Sequence, residues 1–276
     1  MKLENKKKVV KAYKNLDFLQ TPDARTIRVL CELIEPQTRL RRHNIENTIV
    51  FFGSARANPK SVAEHKFSVI NELHKSAKKP DQKLIKEYED AKKEVYLSEF
   101  YEKSRELAYK LTKWIITLSK KKNSLVICTG GGGGIMEAAN KGANEAGGKS
   151  LGFNISLPFE QKINDYIGDD LAFEFHYFFI RKFWFAYLAK ALVVFPGGFG
   201  TLDEMMEVFT LVQTRKIIKK MPIIVFGEDY WKSIIDFGKM VEYKTIDSSD
   251  LKLFTFFDDV DEAFEFLKKN LQRYVE

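Results

Sequence analysis

Two glycine-rich turns hold most of the chemistry that can be read from this sequence. One is Thr129-Gly-Gly-Gly-Gly-Gly-Ile-Met-Glu137, and the other is Pro196-Gly-Gly-Phe-Gly-Thr-Leu-Asp-Glu204. Each follows a short apolar run and precedes a helical pattern. Glycine after a strand lets backbone approach a ligand closely and reach positive φ. The helix that follows offers unpaired N–H groups and a partial positive charge, which together make an anion site, usually for phosphate. A third turn, Phe52-Gly-Ser-Ala-Arg56, could add the Ser54 hydroxyl and the Arg56 guanidinium. Neither glycine turn is a Walker A loop, because no Gly-Lys-Ser/Thr follows. The dinucleotide pattern G-x-G-x-x-G, started at Gly130 and Gly132, would require a glycine where Ile135 stands, which disfavours dinucleotide binding.

The elements that position these turns alternate in type. Strands are predicted at residues 47–52, 124–128, 150–155, 172–175, 191–195, 222–226 and 254–257. Helices are predicted at 135–146, 179–190, 201–214, 229–241 and 260–271. Such alternation predicts an α/β fold, a Rossmann-like doubly wound parallel sheet. Residues 1–46 read as an N-terminal helical extension, punctuated by Pro22 and Pro36, with Thr21 or Asp23 as a cap. Residues 47–276 then form the sheet domain. Within it, residues 58–122 read as a Lys/Glu-rich helical insertion broken at Pro80 and Asp81.

Composition narrows the class. The 276 residues are 45% hydrophobic and 30% charged, as expected of a globular protein with a sizeable core. No run of about 18 apolar residues occurs, so no membrane span is expected. The lysine-rich start, residues 1–9, lacks the apolar stretch of a signal peptide. Cys31 and Cys128 lie far apart without metal spacing, and a reducing cytoplasm is the expected compartment. His43, His65, His74 and His176 are scattered, so no metal site is expected. Net charge is +7, but residues 1–122 hold 28 Lys/Arg against 16 Asp/Glu, and residues 123–276 hold 17 against 22. The basic half could attract anions, though solvated helix faces are the simpler explanation.

The second turn matches PGGxGTxxE at every fixed position and thereby resembles the Lonely Guy (LOG) family. The segment from Gly130 to Met136 is similar to that family's GGGxGxM, and Arg181-Lys182 to its arginine–lysine pair. Phe52-Gly-Ser-Ala-Arg56 looks like the first-strand turn of its longer bacterial members. The resemblance covers about residues 47–272. It implies a Rossmann-like homodimer, or a higher homo-oligomer, with the site near the subunit interface. It also implies a phosphoribohydrolase that splits AMP-like or cytokinin riboside 5′-monophosphates into free base and ribose 5-phosphate, with no cofactor. Members have often been labelled lysine decarboxylases, but no lysine here is an evident Schiff-base former. The extension, the insertion and Glu137 (glycine in short members) favour AMP or a broader nucleotide range over cytokinins.

The resemblance assigns roles residue by residue. Glu204 would stabilise the oxocarbenium character of the sugar or activate water. Its spacing from Thr201 is equally that of a capping box. Arg181 would bind the substrate or steer the carboxylate, unless it makes a plain ion pair; Lys182 is the weaker candidate. Gly197, Gly198, Gly200 and Thr201 would hold the 5′-phosphate. Gly131, Gly132, Gly133 and Gly134 would approach ribose or base, Glu137 would accept from ribose hydroxyls, Ser54 would add a hydroxyl, and Met136 would pack near the base. A non-catalytic carrier of a nucleotide or of molybdenum cofactor is the competing reading. A nucleic-acid partner is disfavoured.

Overall fold

Apolar runs rich in β-branched and aromatic residues form the sheet. In the computed structural model, which describes residues 9–118, 125–157, 162–218 and 220–275, seven strands are all parallel. They are β1 (Asn47–Phe52), β2 (Leu125–Thr129), β3 (Ser150–Ile155), β4 (Ala172–Phe175), β5 (Ala189–Val194), β6 (Ile223–Phe226) and β7 (Thr255–Phe257), in the order β4-β3-β2-β1-β5-β6-β7. A parallel sheet must be covered on both faces, which is why β2, β3 and β6 are buried at every residue. β1 is the centre: Val50 pairs with Cys128 on one side and Leu192 on the other. The chain runs outward from β1 through β4, then crosses back to β5 beside β1. That reversal makes a crevice at the carboxyl ends of β1 and β5, where doubly wound sheets bind ligands.

Alternation along β1 feeds two cores. Val50 and Phe52 join Phe153, Trp184, Met205 and Trp231 on one face. Ile49 and Phe51 join Leu107, Trp114, Phe195 and Leu267 on the other. The first face is covered by α2 (Arg25–Arg42), α6 (Phe178–Leu188) and α7 (Phe199–Gln213), the second by α4 (Gln82–Leu118), α5 (Ile135–Glu145) and α10 (Val260–Leu271). The short α1 (Leu16–Leu19) precedes α2, and α3 (Lys60–Ser76) lies along α4. The N-terminal helical extension is thus present, and residues 60–118 are helical with a break near Pro80, while residues 119–122, the strand start at Ser124 and residues 1–8 lie outside the described residues.

Three expectations change. Residues 229–241 form two helices, α8 (Glu228–Ile234) and α9 (Phe237–Glu242), because Ile235 is extended and the Asp236 carboxylate caps the second. Thr21 caps no helix through its side chain; its hydroxyl donates to the Phe18 carbonyl at 2.8 Å. Pro36 does not punctuate α2 but lies inside it. Proline cannot donate to the carbonyl four residues back. Here that carbonyl, of Glu32, accepts instead from the Trp184 indole N–H at 2.9 Å. The Glu32 carboxylate also accepts the backbone N–H groups of His176 and Tyr177, at the entry to α6. α2 and α6 are therefore joined by both backbone and side chain of one residue.

Trp184→Phe is expected to lower stability by about 1–3 kcal/mol, the cost of an unmade buried bond. Adding Pro36→Ala restores an N–H to Glu32 and should recover part of that loss. Thermal melts of both single variants and the double variant read this out; strictly additive losses would exclude the substitution of indole for amide.

Candidate functional site

The crevice between β1 and β5 is a cleft of about 680 Å³, and all three turns converge on it. One residue holds them together. The Ser54 N–H donates to the Pro196 carbonyl at 2.9 Å, and the Ser54 carbonyl accepts from the Ile135 N–H at 3.0 Å. Its hydroxyl oxygen accepts from the Arg56 N–H, which tightens the turn. Gly134 has φ +66°, and a Cβ there would overlap the backbone of Ser54 and Ala55. Only glycine allows the first turn to lie against the third.

The polyglycine segment is fixed from behind by buried side chains that the sequence reading did not single out. The Thr129 hydroxyl accepts the Gly131 N–H at 2.9 Å and donates to Asn140 at 2.7 Å. The Asn164 amide donates to the Gly132 carbonyl at 3.0 Å and to Asn140 at 3.0 Å. Asn140 in turn reaches Ser150 on β3. A buried polar network whose members satisfy one another specifies one loop conformation.

At the floor of the cleft, the Glu204 carboxylate on α7 accepts from the Arg181 guanidinium on α6. The two side chains are only 12% and 13% exposed. Gly130 lies beside the pair: a Cβ there would press on the Met136 sulfur and meet the Arg181 guanidinium only at ordinary contact, 3.6 Å. Arg181 also lies over the Phe185 ring at 5.3 Å. Burial pushes the Glu204 carboxyl up to about 7, and Arg181 works in the opposite direction. Beneath them, burial also pushes the Cys128 thiol up well above its ordinary range.

Of the residues singled out from sequence, Ser54, Met136, Arg181, Gly197, Gly198, Gly200, Thr201 and Glu204 line the cleft. The others are placed differently. Gly131, Gly132, Gly133 and Gly134 lie outside that lining; the network holds Gly131 and Gly132, and Gly134 packs against Ser54 and Ala55. Glu137 accepts from the buried Tyr101 hydroxyl of α4 at 2.8 Å, so a helix of the insertion clamps the start of α5. Lys182 pairs with Asp203 at 2.8 Å and Glu207 at 3.3 Å. The capping box does not form. α7 begins at Phe199 with Gly198 as N-cap and no side-chain cap, so Thr201 already lies in the first turn and Glu204 beyond it. Sequence reasoning also missed Tyr230, whose hydroxyl donates to the Gly197 carbonyl at 2.9 Å, and Asn154, which lines the cleft from β3.

Residues 136–267, somewhat under half of the chain, match the model of a family described as possible lysine decarboxylase. No curated protein matches the chain. Among solved structures, it is similar to TM1055, a structural-genomics target, with 20% identity, 81% of this chain and 99% of that chain covered, and a TM-score of 0.48. It is also similar to the molybdenum cofactor carrier protein of Chlamydomonas reinhardtii, with 19% identity, 82% and 99% covered, and a TM-score of 0.46. The molybdenum cofactor binding protein of the phototrophic bacterium Rippkaea orientalis gives 20% identity, 60% and 86% covered, and a TM-score of 0.40.

Gly134→Ala and Gly147→Ala separate strain from contact. Both positions have positive φ, but a Cβ at Gly147 meets open space. Gly147→Ala is expected to cost about 1–2 kcal/mol for the left-handed backbone, and Gly134→Ala clearly more. Equal losses in denaturant titrations would mean that the Ser54–Gly134 contact does not constrain the loop.

Proposed function

We propose that this chain is a phosphoribohydrolase acting on nucleoside 5′-monophosphates of the AMP type. The observation that supports it best is the Arg181–Glu204 pair at the floor of the cleft, one helical turn past an open helix N-terminus. The backbone N–H groups of Phe199, Gly200 and Thr201 begin α7 and have no partner four residues back, so a 5′-phosphate would bind there with the helix dipole in its favour. The exposed Gly198 and Gly200 leave space for it. Thr201 would add its hydroxyl, and Gly197 allows Thr201 to pack beneath the turn.

From that phosphate, the ribose would reach toward Glu204. Glu204 as a carboxylate would take a proton from water as its oxygen bonds to the anomeric carbon. The carbon–nitrogen bond breaks, and the leaving base takes up a proton. Charge building on the sugar is stabilised by the same carboxylate. Arg181 holds it in place and keeps a fraction ionised near neutrality. Met136, Ile155, Leu157 and Phe178 supply an apolar wall for the base. Gly131 to Gly134, Glu137 and Lys182 would act indirectly, by fixing the loop and α6. A pyridoxal enzyme, as the label lysine decarboxylase suggests, needs a lysine at the reacting centre, and no lysine is among the residues described as lining the cleft. No helix of the described residues is long and apolar enough to cross a membrane.

Phe178 and Phe199 line the cleft and are exposed, Phe199 to 92%, and Phe179 and Phe183 of the same α6 are exposed as well. Such a patch fits a second copy of the chain closing over the site. Light scattering should give twice the chain mass, and Phe179→Asp with Phe183→Asp should give the monomer; a monomeric wild type would remove the dimer from this reading.

Incubation with AMP should release adenine and ribose 5-phosphate. Glu204→Gln still accepts from Arg181, so it should fold, but should lose about 10²–10⁴-fold in rate. Base release from neither protein with any monophosphate, together with tight binding, would favour a carrier of nucleotide or molybdenum cofactor. The pH dependence has a defined sign. A buried carboxyl raised to about 7 is ionised, and active, only above that pH, so kcat/KM should rise through about pH 7. The same ionisation destabilises the fold as pH rises from the ordinary carboxylate range to about 7. Arg181→Gln should move the Glu204 titration, followed by carboxyl carbon NMR, to higher pH; an unmoved or lowered midpoint would remove Arg181 from that role.

A further inference from the structure

A second cleft, of about 630 Å³, lies at the opposite ends of the strands, where the chain enters β6 and β7. Its apolar wall comes from Val212 at the end of α7, Ile217, Met221, Leu253 and Phe266 of α10. Three cations, Arg215, Lys220 and Lys252, line the same space, and no carboxylate does so among the described residues. All three are exposed, and none makes an ion pair with a described residue. Arg215 is one of only three non-glycine described residues with positive φ, at +58°. Beside it Ile218 is 89% exposed.

Like charges gathered without counter-ions repel one another, and an anion placed among them relieves that repulsion. An apolar wall beside them would bury the body of a ligand that carries such an anion. We propose that this cleft binds a small amphipathic anion, an organic phosphate with an apolar body. Arg215, Lys220 and Lys252 take the phosphate, and the wall from Val212 to Phe266 takes the body. The site is separate from the nucleotide cleft, because α7 presents its N-terminus to one and its C-terminus to the other. It does not depend on the hydrolase reading.

Calorimetric titration of the full chain with dodecyl phosphate, kept below its micelle concentration, tests this. The wild type should bind one ligand per chain with micromolar affinity. Lys220→Glu combined with Lys252→Glu, its fold checked by circular dichroism, should weaken binding by about tenfold or more, which is about 1.4 kcal/mol. Gly200→Asp, which sets a carboxylate in open space at the N-terminus of α7 and repels a phosphate there, should bind as the wild type does, which separates this site from the nucleotide cleft. Inorganic phosphate should bind at least about tenfold more weakly. No saturable binding, equal affinity in the charge-reversed variant, or equal affinity for inorganic phosphate would each overturn the proposal.

Discussion

Everything at the cleft depends on the two backbone bonds of Ser54. Three turns leave three different strands, and nothing in their individual sequences requires them to meet. The N–H of Ser54 holds the turn after β5, and its carbonyl holds the start of α5. The N-terminus of α7, the polyglycine segment and the first-strand turn thereby become one rigid wall. Because Ser54 follows the central strand, with buried neighbours on both sides, this wall inherits the stiffness of the sheet. Preorganised donors of this kind need no rearrangement when charge appears in the cleft.

The Arg181–Glu204 pair stands on the same scaffold but obeys a different constraint. Two ions in a mostly dry place are costly unless each is well partnered. Here burial favours the neutral acid and the guanidinium favours the carboxylate, and the balance falls near neutrality. A group poised there can exchange protons at ordinary pH with little driving force in either direction. Separation of the pair onto two helices, α6 and α7, makes that balance a property of tertiary packing and not of either helix alone.

The sheet was legible because its central strands are continuous buried runs. NTIVFF and ALVVF can be recognised without any partner, and the alternation of such runs with helices implies parallel pairing. The glycine turns and the carboxylate were legible as motifs. What could not be read was anything set by distance across the fold. Thr129, Asn140 and Asn164 are unremarkable polar residues in sequence, and become a loop support only when β3 and the following segment fold back. The spacing of Thr201 and Glu204 suits a cap, but the helix starts two residues earlier, at Phe199, and Glu204 pairs with Arg181 instead. Glu137 suits a sugar hydroxyl equally well as a phenol, and only the placement of α4 decides for Tyr101. Pro36 signals a break, yet its missing donor is replaced by an indole 148 positions later.

That replacement ties the N-terminal segment to the chemistry. α6 carries Arg181, and its entry is held by the carboxylate of Glu32 while its middle is held by the carbonyl of the same residue. The orientation of the guanidinium is thus referenced to a helix that contributes nothing to the cleft lining. In mechanical terms α2 is a splint: it lines no part of the cleft, yet it sets the angle at which α6 presents its charge.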